Sequence, residues 1–226
     1  MTVTEIVARV RSAIDELMPN QSQFLTGSTD EANLTDVIID KIGYALQHVI
    51  KNAPQDMLDG SIFEELTAQE LSQDFAIENI GTVADPVLVG KLTLPQDLLR
   101  IVEARLSSWS HFPIPEPTTS QVYLMQQDKY ARGSWDRPVN ILTAGTLEMY
   151  CAKTDADTLR FVFVRKPVIH EATQQDPAYV DCPAKLEAAF IYQVAGLAMV
   201  AFREEVAESL FRIADRYMFN QKGAEE

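Results

Sequence analysis

The residues in this chain that could do chemistry are few, and their spacing does not favour it. Three histidines, His48, His111 and His170, lie about sixty residues apart, and none has a partner at metal-ligand spacing. The two cysteines, Cys151 and Cys182, are too few for a zinc site, which usually takes four nitrogen or sulfur ligands, and they read as buried free thiols. A dyad of Cys182 with His170 would have to form in space, and sequence leaves it open. There is no glycine-rich dinucleotide fingerprint, no phosphate-binding loop ending in Lys-Ser/Thr, and no Gly-x-Ser-x-Gly elbow. Carboxylates are so abundant that an acid–base pair carries no signal. No residue is therefore assigned as catalytic, cofactor-binding or metal-ligating. No cofactor is expected, and the chain is expected not to be an enzyme.

The richest local cluster is Lys129-Tyr130-Ala131-Arg132-Gly133-Ser134-Trp135-Asp136-Arg137-Pro138. Tyr, Trp and Arg dominate the residues that carry binding energy at protein interfaces. Three readings compete here. The first is partner recognition, with Trp109, Phe112, Lys129, Tyr130, Arg132, Trp135 and Arg137 as candidate interface residues. The second is a loop whose aromatics plug their own core. The third is stacking and phosphate contact with single-stranded nucleic acid.

The charge distribution weighs against nucleic acid. The 226 residues carry 33 acidic and 19 basic side chains, a net charge of −14. Residues 1–99 hold 16 acids and 5 bases, and residues 167–226 hold 10 and 5. Only residues 100–166, with 9 bases and 7 acids, are mildly positive. A dedicated nucleic-acid binder shows a basic footprint instead. An acidic surface with a less acidic middle can self-assemble by charge complementarity, or can serve solubility alone. The chain start has no basic stretch leading into an apolar run, so no signal peptide is expected. The most apolar run, residues 188–202, is interrupted by Gln193 and falls short of the roughly 20 residues a membrane span needs, so no membrane partner is expected.

These residues need elements to position them. Residues 2–18 read as an amphipathic helix on Val3, Ile6, Val7, Val10, Ile14 and Leu17, with Thr2 and Glu5 at capping-box spacing. Residues 20–33 read as a loop. Residues 34–52 read as a second helix, on Leu34, Ile38, Ile42, Leu46 and Val49, antiparallel to the first. Residues 55–80 form an acidic insertion with a short helix. A strand is expected over 87–93, then a helix opened by Pro95 and running to Ser108. Residues 109–138 are a proline-broken crossing, a long extended arm. Strands at 139–142, 147–152 and 159–164 make a three-stranded antiparallel meander, turning at Ala144-Gly145 and at Asp155-Ala156-Asp157. Helices over 183–202, with Asp181 as N-cap, and over 203–221 close the chain. The fold class is α+β, a single domain. It is a helical bundle (residues 1–54, 94–108 and 182–221) with the insertion at 55–80 and the arm and β-meander at 109–166.

Several segments resemble the head-to-tail adaptor (connector or ring) proteins of tailed bacteriophages, most closely those of crAss-like short-tailed phages. They are Leu94-Pro95-Gln96-Asp97-Leu98-Leu99-Arg100, Lys129 to Gly133 followed by Arg137-Pro138-Val139, the hairpin and strand through Val164, and the C-terminal helices with Ala195-Gly196-Leu197. The likeness covers roughly residues 83–220. It implies a helical bundle carrying a β-containing arm, and about twelve copies in a cyclic ring between portal and tail. It also implies a virion location at the head–tail junction, after assembly in the host cytoplasm. The implied partners are the chain itself, the portal protein and the next tail or ring protein, with DNA passing through the channel without specific binding. The alternative from another class is a non-viral cytoplasmic interaction or scaffold module.

Overall fold

The structure, a computed structural model, describes residues 1–18, 28–126, 128, 130–173, 176–200 and 202–219. In chain order the helices and strands are α1 (Val3–Leu17), α2 (Ser28–Asn52), β1 (Phe63–Glu65), α3 (Ala68–Asp74), β2 (Phe75–Asn79) and β3 (Leu88–Thr93). There follow β4 (Leu98–Leu106), β5 (Glu116–Pro117), α4 (Gln121–Met125), β6 (Val139–Leu142), β7 (Thr146–Tyr150) and β8 (Leu159–Arg165). Last come β9 (Ile169–His170), β10 (Tyr179–Val180), α5 (Glu187–Met199) and α6 (Glu204–Phe219). The fold is α+β, as its periodicities imply. Among the described residues no helix is long and apolar enough to cross a membrane.

The chain divides into two compact units rather than the expected one. The first joins residues 1–60 to 166–226, and the second is the continuous stretch 61–165. The acidic insertion is thereby split: residues 55–60 belong to the first unit and the rest to the second.

The first unit is helical. Ile6, Val10 and Ile14 of α1 and Ile38, Ile42, Leu46 and Val49 of α2 are wholly buried. α5 packs against α6, α2 and α1. Its central position explains why it is apolar nearly all round. Its small residues let neighbours approach: a Cβ added at Gly196 would lie 2.5 Å from the Phe211 ring on α6. α2 begins at Ser28, six residues before the expected start, so Ser28–Asn33 belong to the helix and not to the loop. No proline or glycine interrupts that stretch. The remainder of the expected loop, residues 20–27, lies outside the described residues, as do the last two residues of the final expected helix. Asp181 does not cap a helix. Pro183 precedes a short 3-10 turn, Ala184–Leu186, that leads into α5.

The second unit is built from two sheets. One runs in the order β2-β3-β7-β6-β5, antiparallel except for the parallel β5–β6 pair, and the other in the order β1-β8-β4. Leu92, Leu147 and Met149 of the first sheet and Ala104, Leu106, Leu159, Phe161 and Phe163 of the second form one buried cluster. Phe161 and Phe163 stack at 5.5 Å. Fully burying such a side chain stabilises the unit by about 2–3 kcal/mol.

Two expectations fail in this unit. The segment after Pro95 is the strand β4, not a helix. β4 pairs antiparallel with β8, with register shifts between Leu98 and Arg100 and between Ile101 and Glu103. Each shift adds a residue to one strand, as a bulge does. Leu98, Ile101 and Ala104 therefore all reach the core at intervals of three, which mimics a helical period. The meander also loses its third strand. β6 and β7 pair through the expected turn, where Gly145 has a φ of 89°. β8 instead pairs with β1 and β4. The chain leaves the first sheet at Cys151, in the left-handed region at φ 69°. The Asp157 carboxylate accepts the Lys153 amide at 2.8 Å and the Ser108 hydroxyl at 2.7 Å, anchoring the connection to the end of β4.

Candidate partner-binding loop

The crossing from residue 109 to 138 splits into a buried part and a displayed part. Trp109 is only 3% exposed, and its indole N–H donates to the Cys151 carbonyl at 3.3 Å. Phe112 packs against the same core cluster. Trp109 is a core plug, so the expectation that it contacts a partner is corrected: its apolar area is already spent inside the unit, whereas Phe112 is half-buried against that core. Lys129 lies outside the described residues.

The displayed part is a loop with a tightly held backbone. Asp128 starts it, its carboxylate accepting the Tyr130 amide at 2.8 Å and its carbonyl the Arg132 amide at 2.9 Å. Gly133 is fixed from both sides. Its N–H donates to Gln126 Oε1 at 3.0 Å, and its carbonyl accepts the Cys151 thiol at 2.8 Å. Gln126 is itself buried and donates to the Val122 carbonyl of α4 at 2.8 Å. A Cβ at Gly133 would stand 2.6 Å from the Arg137 carbonyl oxygen, so glycine is required by close approach. Ser134 and Arg137 exchange backbone hydrogen bonds of 3.2 and 2.8 Å. Trp135 and Asp136 are thereby set at the tip of a two-residue turn.

The side chains divide by role. Tyr130 is 94% exposed and Trp135 48% exposed. The Lys153 ammonium lies 4.5 Å from the Trp135 ring centroid, a cation–π contact. Arg137 is exposed. Arg132 is turned inward: one guanidinium nitrogen donates to both carboxylate oxygens of Asp85, at 2.7 and 2.8 Å. Arg132 is therefore corrected from a partner contact to a strut. Asp85 closes the β2–β3 hairpin, exchanging backbone hydrogen bonds with Thr82, and Val83 between them is fully exposed. Ile114, Leu124 and Met125 of the same crossing are also exposed.

Sequence reading missed Gln126, Asp85, Cys151 and Lys153. Each is remote in sequence from the aromatic cluster or outwardly unremarkable, and only the fold brings it there. Burial pushes the Cys151 thiol up, with Arg132 opposing it. The Ser134 hydroxyl holds the Asp136 carboxyl below its ordinary range.

The remaining chemistry-bearing residues do not converge. His170 Nε2 faces Asp181 Oδ2 at 3.1 Å, and its ring stacks on Tyr179. The Cys182 thiol points to the Pro183 carbonyl, so the structure does not bring the Cys182–His170 dyad together. His111 Nδ1 lies 3.2 Å from the Ser110 hydroxyl. No group of three or more His, Cys, Asp or Glu among the described residues is placed to hold a metal ion. No model of a known protein family matches the chain, and no curated protein matches it.

Proposed function

We propose that this chain is a structural protein of a tailed-phage virion. In this reading it forms a ring between portal and tail, continues the DNA channel and joins head to tail. The resemblance of residues 83–220 to adaptor proteins supplies the class. One observation carries the assembly role: the loop that displays Tyr130 and Trp135 is pinned at Gly133 and Arg132 before any partner arrives. A preordered loop loses less entropy on docking than a floppy one, so its exposed aromatics are suited to binding.

In this reading the helices of the first unit are the bundle and the 109–138 crossing is the arm. The ring holds about twelve copies, closed by head-to-tail contacts. Its acidic charge keeps phosphate from sticking to the channel wall as DNA passes. The work done is assembly, not catalysis, and the location is the head–tail junction of the virion.

Quantitative peptide mass spectrometry of purified virions tests this. One copy per portal subunit is the expected result. Absence from the virions overturns the reading, and a several-fold higher copy number moves the chain to a capsid or tail-tube position.

A further inference from the structure

We propose that the open edge of β2 takes up an extended, basic segment of a partner protein as an added strand. This uses a different part of the β unit from the Trp135 loop and does not rest on the ring reading.

The two sheets of the unit have four outer strands, β2 and β5 in one and β1 and β4 in the other. Three of these edges are blunted, as natural sheets blunt theirs against stray pairing. β1 has three residues, and β5 has two, one of them Pro117. β4 carries two register shifts, and its carbonyls at Ala104 and Leu106 accept from the Asn140 side chain and the Trp109 amide. β2 has none of these devices. Its five residues pair with β3 without a shift, and it contains neither proline nor lysine.

The backbone direction follows from the hairpin. The Ile80 amide donates to the Val87 carbonyl at 2.9 Å. Hydrogen-bonded pairs alternate along an antiparallel ladder, so Glu78 and Ala76 also turn their backbone to β3. Ile77 and Asn79 therefore point N–H and C=O away from it, as Phe75 points its carbonyl. The Phe75 amide is already used, closing α3 on the Leu71 carbonyl. Among the described residues no further strand pairs with this edge, and Ala76, Glu78 and Asn79 are exposed.

The side chains set the chemistry of the guest. Phe75 and Ile77 pack against the buried cluster, while Ala76 and Glu78 lie on the other face. A guest strand alternates in the same way, apolar beside Phe75 and Ile77. Its other face meets acid. Residues 61–80 hold five acidic and no basic side chains. Lys91 pairs with Glu78 at 2.7 Å and stands opposite Glu148. Arg165, whose charge reaches Glu70, lies between Glu64 and Asp97. With every group ionised, Glu64, Glu70, Asp74, Glu78, Asp97 and Glu148 still outnumber Lys91 and Arg165. Lysines on the guest answer that excess. A second copy paired through β2 would set the same acids against one another.

The test uses the full chain and a short synthetic peptide that alternates valine and lysine. Its counterparts carry glutamate for lysine, or N-methyl groups on the amides of one edge and then of the other. Binding is followed by anisotropy of the labelled peptide, and amide hydrogen exchange is read residue by residue. The expected result is saturable binding of the lysine peptide that slows exchange at Ile77 and Asn79. The Ala76 and Glu78 amides, bonded to β3, are protected with or without it. One of the two N-methylated peptides should lose binding. Asp74→Lys with Glu78→Lys should weaken affinity at least about fivefold, and salt should weaken it too. Ile77→Pro removes an outward donor but no bond to β3, so it should block docking with the fold retained. If that variant loses its native circular dichroism, the N-methylated peptides make the same cut from the other side.

No saturable binding, equal binding of the glutamate peptide, or binding that leaves exchange at Ile77 and Asn79 unchanged overturns the proposal. A dimer in sedimentation that Ile77→Pro dissolves overturns it in favour of a second copy at this edge.

Discussion

Gly133 controls how Trp135 is displayed. Its N–H and carbonyl are both engaged, and the Arg137 oxygen fills the space a methyl group would need. Gly133→Ala must push apart the turn that carries Trp135. We expect a loss of about 1–3 kcal/mol in urea denaturation, together with a rise in acrylamide quenching of Trp135. A second residue-scale prediction concerns Asp157. Burial opposes its ionisation, but the Ser108 hydroxyl and the amides of Lys153 and Thr154 outweigh it and hold the carboxyl below the usual range. A carboxylate depressed on folding stabilises the protein above its unfolded pKa of about 3.9, and that contribution is lost as pH falls through the folded value. Asp157→Asn should therefore be less stable than the parent at neutral pH. The gap should narrow below about pH 4 and close at lower pH, as followed by denaturation across that range. At this scale the sequence located the aromatic loop but misassigned its members. Tyr130, Trp135 and Arg137 do stand outside, while Trp109, Phe112 and Arg132 are turned inward. A side chain's type says what it can contact; only the fold decides which way it points.

Among the elements, those whose period matched their environment were legible and those with a local irregularity were not. α1 and α2 each show a clean apolar stripe, and β6–β7 is marked by Ala144-Gly145, whereas α6 buries Ala207, Leu210, Ala214 and Met218 and not the face of Val206, Leu210, Ile213 and Tyr217 that its larger apolar residues suggest. β4 reads as a helix in sequence because Pro95 suits a first helical position and Leu98, Leu99, Ile101, Val102 and Leu106 recur near helical spacing, while in the fold register shifts bring Leu98, Ile101 and Ala104 to the core at intervals of three. β8 was assigned to the wrong sheet because Asp155-Ala156-Asp157 looks like a hairpin turn. In the fold Asp157 reaches back to Ser107 and Ser108 instead. The small residues around Gly196 permit the close approach of α5 and α6. Gly196→Val would drive a branched side chain into the Phe211 ring, whose Cε1 lies 2.5 Å from the place the new Cβ would take. Overpacking of this kind costs about 1–3 kcal/mol, so the midpoint of urea unfolding should fall with little change in slope. An unchanged midpoint would mean that Phe211 swings away at no cost.

The whole molecule is a helical unit whose sequence is interrupted by a β unit with its own core. The length of the chain suits one large domain, or one domain with an elaborate insertion, and residues 61 and 165 are marked by no more than the single breakers Gly60 and Pro167 beside them. The buried cluster of Phe161, Phe163, Leu147 and Leu106 lies wholly within 61–165. A fragment spanning those residues should therefore fold alone, with a strand-type circular dichroism spectrum and a cooperative urea transition. A fragment without that transition would show that the β unit depends on the helical one.

Each unit also contains one cysteine, Cys182 in the helical unit and Cys151 in the β unit. Burial raises both thiols, Cys182 to about 12. The thiolate, not the thiol, attacks alkylating reagents, so at neutral pH each cysteine is nearly silent until its surroundings open. The rates at which the two thiols are labelled then time how often each half of the molecule breathes, each half keeping its own clock.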